Sequence, residues 1–223
     1  MGNISENLAQ VRENIPSEVK LIAVSKLKPK EAILEAYNAG QRVFGENKAL
    51  EMKEKHSQLP HDIQWHFIGH LQTNKVKYII PFVHLVHSVD SLKLLQEINR
   101  LAEKNNRIVD CLLQFHIAEE ETKFGFSFSE AEEMLDNEAY KNCKNIRLCG
   151  VMGMATLTEN ENQLRSEFRT LRNYFLQLKE KYFSQADYFR DISMGMTDDY
   201  KIAIEGGSTM VRIGSAIFGS RNA

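Results

Sequence analysis

The chain is short of the residues that mark several common classes of protein. Its three cysteines, Cys111, Cys143 and Cys149, show no CxxC spacing, which argues against a structural zinc site and a disulfide framework and for reduced thiols in the cytoplasm. Its four prolines are scattered and no Pro-, Gly- or Ser-rich linker divides the sequence, so a single domain over residues 1–223 is expected. Neither sign of charge dominates. The 28 Lys and Arg against 30 Asp and Glu give a formal charge of −2, without the basic stripe that nucleic-acid binding requires. The most apolar stretch, 79–86, contains Pro81 and His84 and falls far short of the ~20 residues needed to span a bilayer. The first residues are polar and carry no apolar secretory segment, and Glu6 stands where N-myristoylation wants Ser or Thr. No GxGxxG follows the first apolar run, so the fingerprint of an open dinucleotide-binding sheet is missing.

What the sequence does have is alternation. Hydrophobic residues make up 43% of it, and they fall in short runs separated by helical patterns. The strand-like runs are 21–25, 43–44, 64–68, 83–86, 108–115, 146–152, 188–192 and 210–213. Between them lie a helix opened by Pro29 and stopped at Gly40, a charged helix ending near 59, a short one over 74–80, and helices over 92–103, 130–135 and 161–182. In the longest helix Leu164, Phe168, Leu171, Phe175 and Leu178 recur at three- and four-residue spacing, which marks one buried face. Eight strand–helix units in so short a chain predict an α/β fold, a closed (β/α)8 TIM-type barrel, preceded by an extra N-terminal helix at about 3–14.

In such barrels the active site lies at the carboxyl ends of the strands, with phosphate in the loops after strands 7 and 8. Two segments suit that place: Ser193-Met194-Gly195-Met196-Thr197 after the seventh run, and Gly214-Ser215-Ala216 after the eighth. Each offers glycine, hydroxyls and backbone N–H groups for a dianion, although either alone also reads as an ordinary turn. Lys26 directly follows the first apolar run; a lysine at a barrel mouth, partly removed from water, can attack an aldehyde. Lys28 shares that side of the extended chain. The plainer alternative makes both solvated residues opening a loop. Arg212 alternates with Met210 and Gly214 and should face the barrel interior, where it needs an acceptor. That acceptor is a ligand or, alternatively, Glu46 or Asp198. His66 and His70 lack the further ligands of a metal site, so hydrogen-bonded histidines and no metal are expected. Asp198 and Asp199 read as a helix cap.

Several blocks together resemble the pyridoxal-phosphate homeostasis proteins (the YggS/PROSC, or PLPBP, family). They are AVSKLKP, AGQRVFGEN, WHFIGHLQTNK, HSVDS, ETKFGF, SMGMTDDY and GSTMVRIGSAIFG, spread from Leu21 to Gly219. The resemblance implies a barrel like the amino-terminal domain of alanine racemase (the type III fold of pyridoxal-phosphate enzymes), without that enzyme's second domain. It implies pyridoxal 5′-phosphate held as an internal aldimine on Lys26. Ser193, Gly195, Gly214 and Ser215 would hold the phosphate, Asn47 would lie against the ring near the imine, and Arg212 would face the pyridine nitrogen. Lys28 and Lys123 match lysines of secondary cofactor handling. Two departures are visible: Ser215 replaces the usual threonine, and GVMGMA at 150–155 replaces a segment closer to GLMAIP.

The function so implied is cofactor homeostasis. A monomeric, non-catalytic carrier would hold the reactive aldehyde and pass it to apoenzymes. The competing reading is a racemase-like enzyme at the same site, which would need a second acid/base on the opposite face of the substrate. A weaker one is a Schiff-base aldolase acting on a phosphosugar.

Overall fold

A strand whose two faces are both apolar must be covered on both sides, and eight of them solve this by closing on themselves inside a coat of helices. The computed structural model describes residues 3–119 and 124–219. Its elements run α1 (Ile4–Glu13), β1 (Lys20–Val24), α2 (Lys30–Asn38), β2 (Val43–Glu46), α3 (Ala49–Gln58), β3 (Gln64–Phe67), a 3-10 turn (Thr73–Tyr78), β4 (Leu85–Val89), α4 (Leu92–Lys104), β5 (Val109–His116), α5 (Phe128–Asp136), α6 (Glu138–Lys141), β6 (Ile146–Met154), α7 (Glu161–Tyr182), β7 (Asp191–Met196), α8 (Tyr200–Glu205), β8 (Met210–Ile213) and α9 (Ser215–Phe218). The strands are parallel, pair in chain order, and close when β8 pairs with β1. The expected barrel is therefore the observed one.

Two packed layers follow from the side-chain alternation of the strands. Inside the ring, Ile22, Leu85, Leu112, Cys149, Met152 and Met210 form a closed apolar plug. Outside it, Phe44, Trp65, Phe67, Phe115, Val211 and Ile213 face the helices in a larger core. Complete burial of such large side chains contributes ~1.5–3 kcal/mol each. Helix starts follow local chemistry. Ser91 accepts from Leu94 N–H at α4, and Ser127 and Glu130 form a reciprocal capping box at α5. The N-terminal α1 is tied to α2 and α9: Ile4 N–H donates to Glu35, and Asn7 to the carbonyl of Ile217.

Strand limits differ from expectation by one or two residues at several ends, and more at β4 and β7. β4 extends through His87 and Ser88, whose polarity hides a strand in the sequence, and all five of its residues are buried. β7 is Asp191–Met196, not 188–192, because Ser193 pairs with Met152 on one side and Met210 on the other, and pairing continues to Met196 opposite Arg212. Among the described residues, no helix is long and apolar enough to cross a membrane.

Candidate functional site

Strand order and register bring residues from distant parts of the sequence to one end of the barrel. Lys26 and Lys28 follow β1, Asn47 follows β2, His70 follows β3, and Gly214 and Ser215 follow β8. All six line a cavity of about 450 Å³ at the carboxyl ends of the strands, with Arg212 at its floor. That volume is in the range of small-molecule sites. Register explains why Lys26 and Arg212 line the same cavity: β8 lies beside β1 with Arg212 opposite Ile22, on the strand that leads to Lys26. Lys28 Nζ donates to the carbonyls of Phe218 and Gly219, which joins the loop after β1 to the end of α9. Gly69 has no room for a side chain, since a Cβ there would lie 2.5 Å from the carbonyl oxygen of Asn47. The close approach presses Asn47 to the cavity wall. Its Oδ1 is buried with no hydrogen-bond partner among the described residues.

Arg212 is buried and does not pair with Glu46 or Asp198. Its Nη1 donates to Ser193 Oγ (2.6 Å) and its Nη2 to the carbonyl of Gly153 (3.0 Å). Glu46 is instead matched by Lys55 at 2.7 Å. Burial brings Arg212 down to about 10, with the Asp199 carboxylate opposing the shift, so the guanidinium remains charged at neutral pH. These bonds use two of its five N–H groups, and the residue also lines the cavity.

Below Arg212 a chain of hydrogen bonds crosses the barrel interior. Ser193 Oγ lies 2.9 Å from His87 Nδ1, and His87 Nε2 lies 2.9 Å from His66 Nδ1. Arginine can only donate, so the arrangement that uses every group has Ser193 donate to His87 and His87 donate to His66. His66 Nε2 then carries a hydrogen with no partner among the described residues. Burial holds both imidazoles well below the ordinary histidine value; His87, His84 and Lys20 add to the effect at His66, and Arg212 and Lys20 at His87. Both rings are neutral.

The other residues singled out in the sequence lie in varied surroundings. Ser193, expected at a phosphate, is a fully buried strand residue whose hydroxyl is already engaged by Arg212 and His87. Gly195 is buried too. Its φ of +95° falls at the register irregularity of β7, and a Cβ would meet Ala203 at 2.6 Å. This glycine kinks the strand end so that Met196 and Thr197 turn into the cavity. Thr197 Oγ1 accepts from Gly214 N–H at 3.3 Å and links the two loops. Thr197 stands in the segment the sequence singled out, but strand-end placement decided between its hydroxyls. Asp199 heads α8 without capping it; its carboxylate accepts from Met196 N–H at 2.5 Å. His66 and His70 do not converge: His66 is interior, whereas His70 sits at the rim beside Asp90 (3.1 Å) and stacked on Phe124. Among the described residues no three His, Cys, Asp or Glu side chains form a metal cluster. Lys123 lies outside the described residues. Sequence reading missed His87 as a partner, since it identified HSVDS only as a matching block.

The alanine racemase N-terminal domain family matches residues 1–222. A pyridoxal phosphate homeostasis protein of Aquifex aeolicus is 38% identical, over 98% of this chain and 99% of that protein. Among solved structures, PipY of Synechococcus elongatus with PLP bound superposes with a TM-score of 0.86 at 33% identity, over 97% of this chain and 100% of that one. Alanine racemase of Bartonella henselae, with covalently bound pyridoxal phosphate, shares the fold at a TM-score of 0.74 and 13% identity, over 99% of this chain but 61% of that one. The chain belongs to the alanine racemase N-terminal domain family and, within it, to the pyridoxal phosphate homeostasis proteins.

Proposed function

We propose that the chain binds pyridoxal 5′-phosphate through Lys26 and acts in cofactor homeostasis as a carrier. The observation that carries this reading is the meeting of three groups in one cavity: Lys26, the buried cation Arg212, and the unpartnered Asn47 carbonyl. The residues fit the group. A buried polar atom without a partner is costly unless a ligand meets it, and a charged guanidinium that lines the cavity suits a ring nitrogen. When bound, the cofactor supplies an aldehyde that condenses with a primary amine, a C=N bond forming as one water leaves. Lys26 supplies the nitrogen from the end of β1. Arg212 is the residue that would hold the ring nitrogen as a cationic donor, and such a donor would disfavour protonation there and make the ring a weaker electron sink. The chain through Ser193, His87 and His66 fixes the guanidinium in place. Thr197, Gly214 and Ser215 hold the phosphate, in place of Ser193 and Gly195, which support that loop from beneath.

Ser215 is exposed at the rim, so the phosphate end faces solvent, an arrangement that suits release to an apoenzyme more than retention for turnover. The relatives are named for homeostasis and not for a reaction. The test begins with protein stripped of cofactor and then given pyridoxal 5′-phosphate. The expected result is a visible absorption band and, after borohydride reduction, a pyridoxyl adduct at Lys26 by peptide mass, both lost in Lys26→Ala. Mixing the loaded protein with a cofactor-free transaminase should then restore that enzyme faster than spontaneous release allows. An adduct on another lysine, or rapid inversion of L-alanine with deuterium uptake at Cα, would overturn the reading.

A further inference from the structure

A second polar cluster, on the outer side of the barrel wall, grips the chain around Lys26. Residues 25–28 form a turn closed by Lys28 N–H donating to the carbonyl of Ser25 at 3.0 Å. Leu27, the third residue of the turn, has φ +62°, the left-handed region that such turns normally give to glycine or asparagine. Packing does not hold it there, because its side chain is 61% exposed. What does hold it is a hydrogen bond of 2.6 Å from Leu27 N–H to Glu51 Oε1.

Glu51 is in turn fixed by Lys55, one helical turn along α3, at 2.7 Å. Lys55 is 9% exposed, and each of its three N–H groups has an acceptor: Glu51 Oε1, Glu46 Oε1 at 2.7 Å, and the carbonyl of Ser25 at 2.8 Å. Glu46 completes the circuit by accepting from Ser25 Oγ at 2.6 Å. The peptide groups on both sides of Lys26 are thus bound to one buried lysine, directly at Ser25 and through Glu51 at Leu27. A buried ion pair that served only stability would need Glu46 and Lys55. It would not need to reach either peptide of an exposed turn.

We propose that Lys55 and Glu51 are positioning residues for Lys26: they hold its turn in a strained conformation that aims the lysine into the cavity and sets how readily it forms and releases a covalent adduct. This deepens the function proposed above and rests on it for the role of Lys26. Without the grip, Leu27 relaxes to negative φ, the turn opens, and the amine samples solvent as well as the cavity. The reaction concerned is the same balanced condensation, amine and aldehyde giving C=N and one water. Only its rate and its equilibrium depend on the turn.

Glu51→Ala is the decisive variant, since Glu51 is partly exposed and its loss leaves the Glu46–Lys55 pair in place. In the cofactor-free full chain, amide hydrogen exchange at Leu27 should accelerate about tenfold or more, a factor equivalent to ~1.4 kcal/mol and of the order of the strain of a left-handed leucine. Adduct formation at Lys26 with pyridoxal 5′-phosphate should slow by a similar factor, with the melting temperature nearly unchanged. Glu51→Gln, which keeps an acceptor for Leu27, should recover most of both. Leu27→Gly in the Glu51→Ala background should recover the adduct rate, because glycine adopts the turn without strain. Unchanged Leu27 exchange in Glu51→Ala would overturn the proposal, as would an unchanged adduct rate with exchange accelerated. A wild-type protein that forms no adduct at Lys26 would refute the role of that lysine and with it the positioning of its chemistry, whereas failure at Glu51 alone leaves the cofactor reading intact.

Discussion

The barrel wall separates two polar networks that serve neighbouring parts of one cavity by opposite electrostatic means. Inside, Arg212, Ser193, His87 and His66 form a line in which a single charge is followed by neutral donors and acceptors. Outside, Glu46, Lys55 and Glu51 form a compact cluster of two carboxyl groups around one amine between β2 and α3. The inner line can stay neutral because its histidines are wholly buried and, among the described residues, bond to each other and to Ser193 and to no carboxylate. In the outer cluster Lys55 Nζ meets three acceptors, and the pull of burial on Glu46 is opposed by Lys55 and Ser25. The lesson is that burial selects between two solutions: neutralise the group, or saturate it with partners.

The comparison can be broken most severely at Lys55. Lys55→Met leaves Glu46 buried without its cation, and breaking such a pair costs about 3–5 kcal/mol, readable as a lower midpoint in urea. The next effect is on pH. His66 and His87 have folded values well below the ordinary one, so the unfolded chain binds protons that the folded chain refuses. Stability contributed by the neutral rings is present above about pH 6.5 and falls as pH drops below it, by up to ~1.4 kcal/mol per pH unit for each ring. Glu46 has the opposite sign: burial raises it despite Lys55, so between its ordinary and its raised value the folded chain takes up the proton more readily, and stability there falls as pH rises. Thermal melts from pH 7.5 to 5.5 should therefore show a decline on acidification that is shallower in His87→Gln. The smallest effect belongs to Ser193→Ala, which cuts the inner line in the middle. A loss of about 1–3 kcal/mol in stability is expected for the groups left unsatisfied, with weaker binding of pyridoxal 5′-phosphate by equilibrium titration and an adduct still formed at Lys26.

Much of this barrel can be read from the order of apolar runs, because parallel strands buried on both faces leave short hydrophobic segments between amphipathic helices. The shared place of Lys26, Arg212, Gly214 and Ser215 at one cavity was legible for the same reason: each follows or lies within a strand whose alternation is clear. The inner network was not. His87 and Ser88 interrupt the apolar run of β4, and the strand character of SMGM in β7 comes from pairing on both sides and not from β-branched residues. Placing that strand too early put Ser193 in a loop and hid its bonds to arginine and histidine. The outer cluster was hidden differently. In sequence Glu51 and Lys55 look like a solvent-facing pair on a charged helix, and only tertiary structure shows that β2 and the turn after β1 cover them.

The seam of the ring has a consequence for how the protein is made. Because β1 closes against β8, a ribosome must deliver all eight strands before the wall beside Lys26 exists. During translation Lys26 is made long before Arg212, which lies near the other end of the barrel's strand order. The cavity that Lys26 and Arg212 share is therefore complete only when the ring closes, and a chain cut before β8 has the lysine without the arginine beside it.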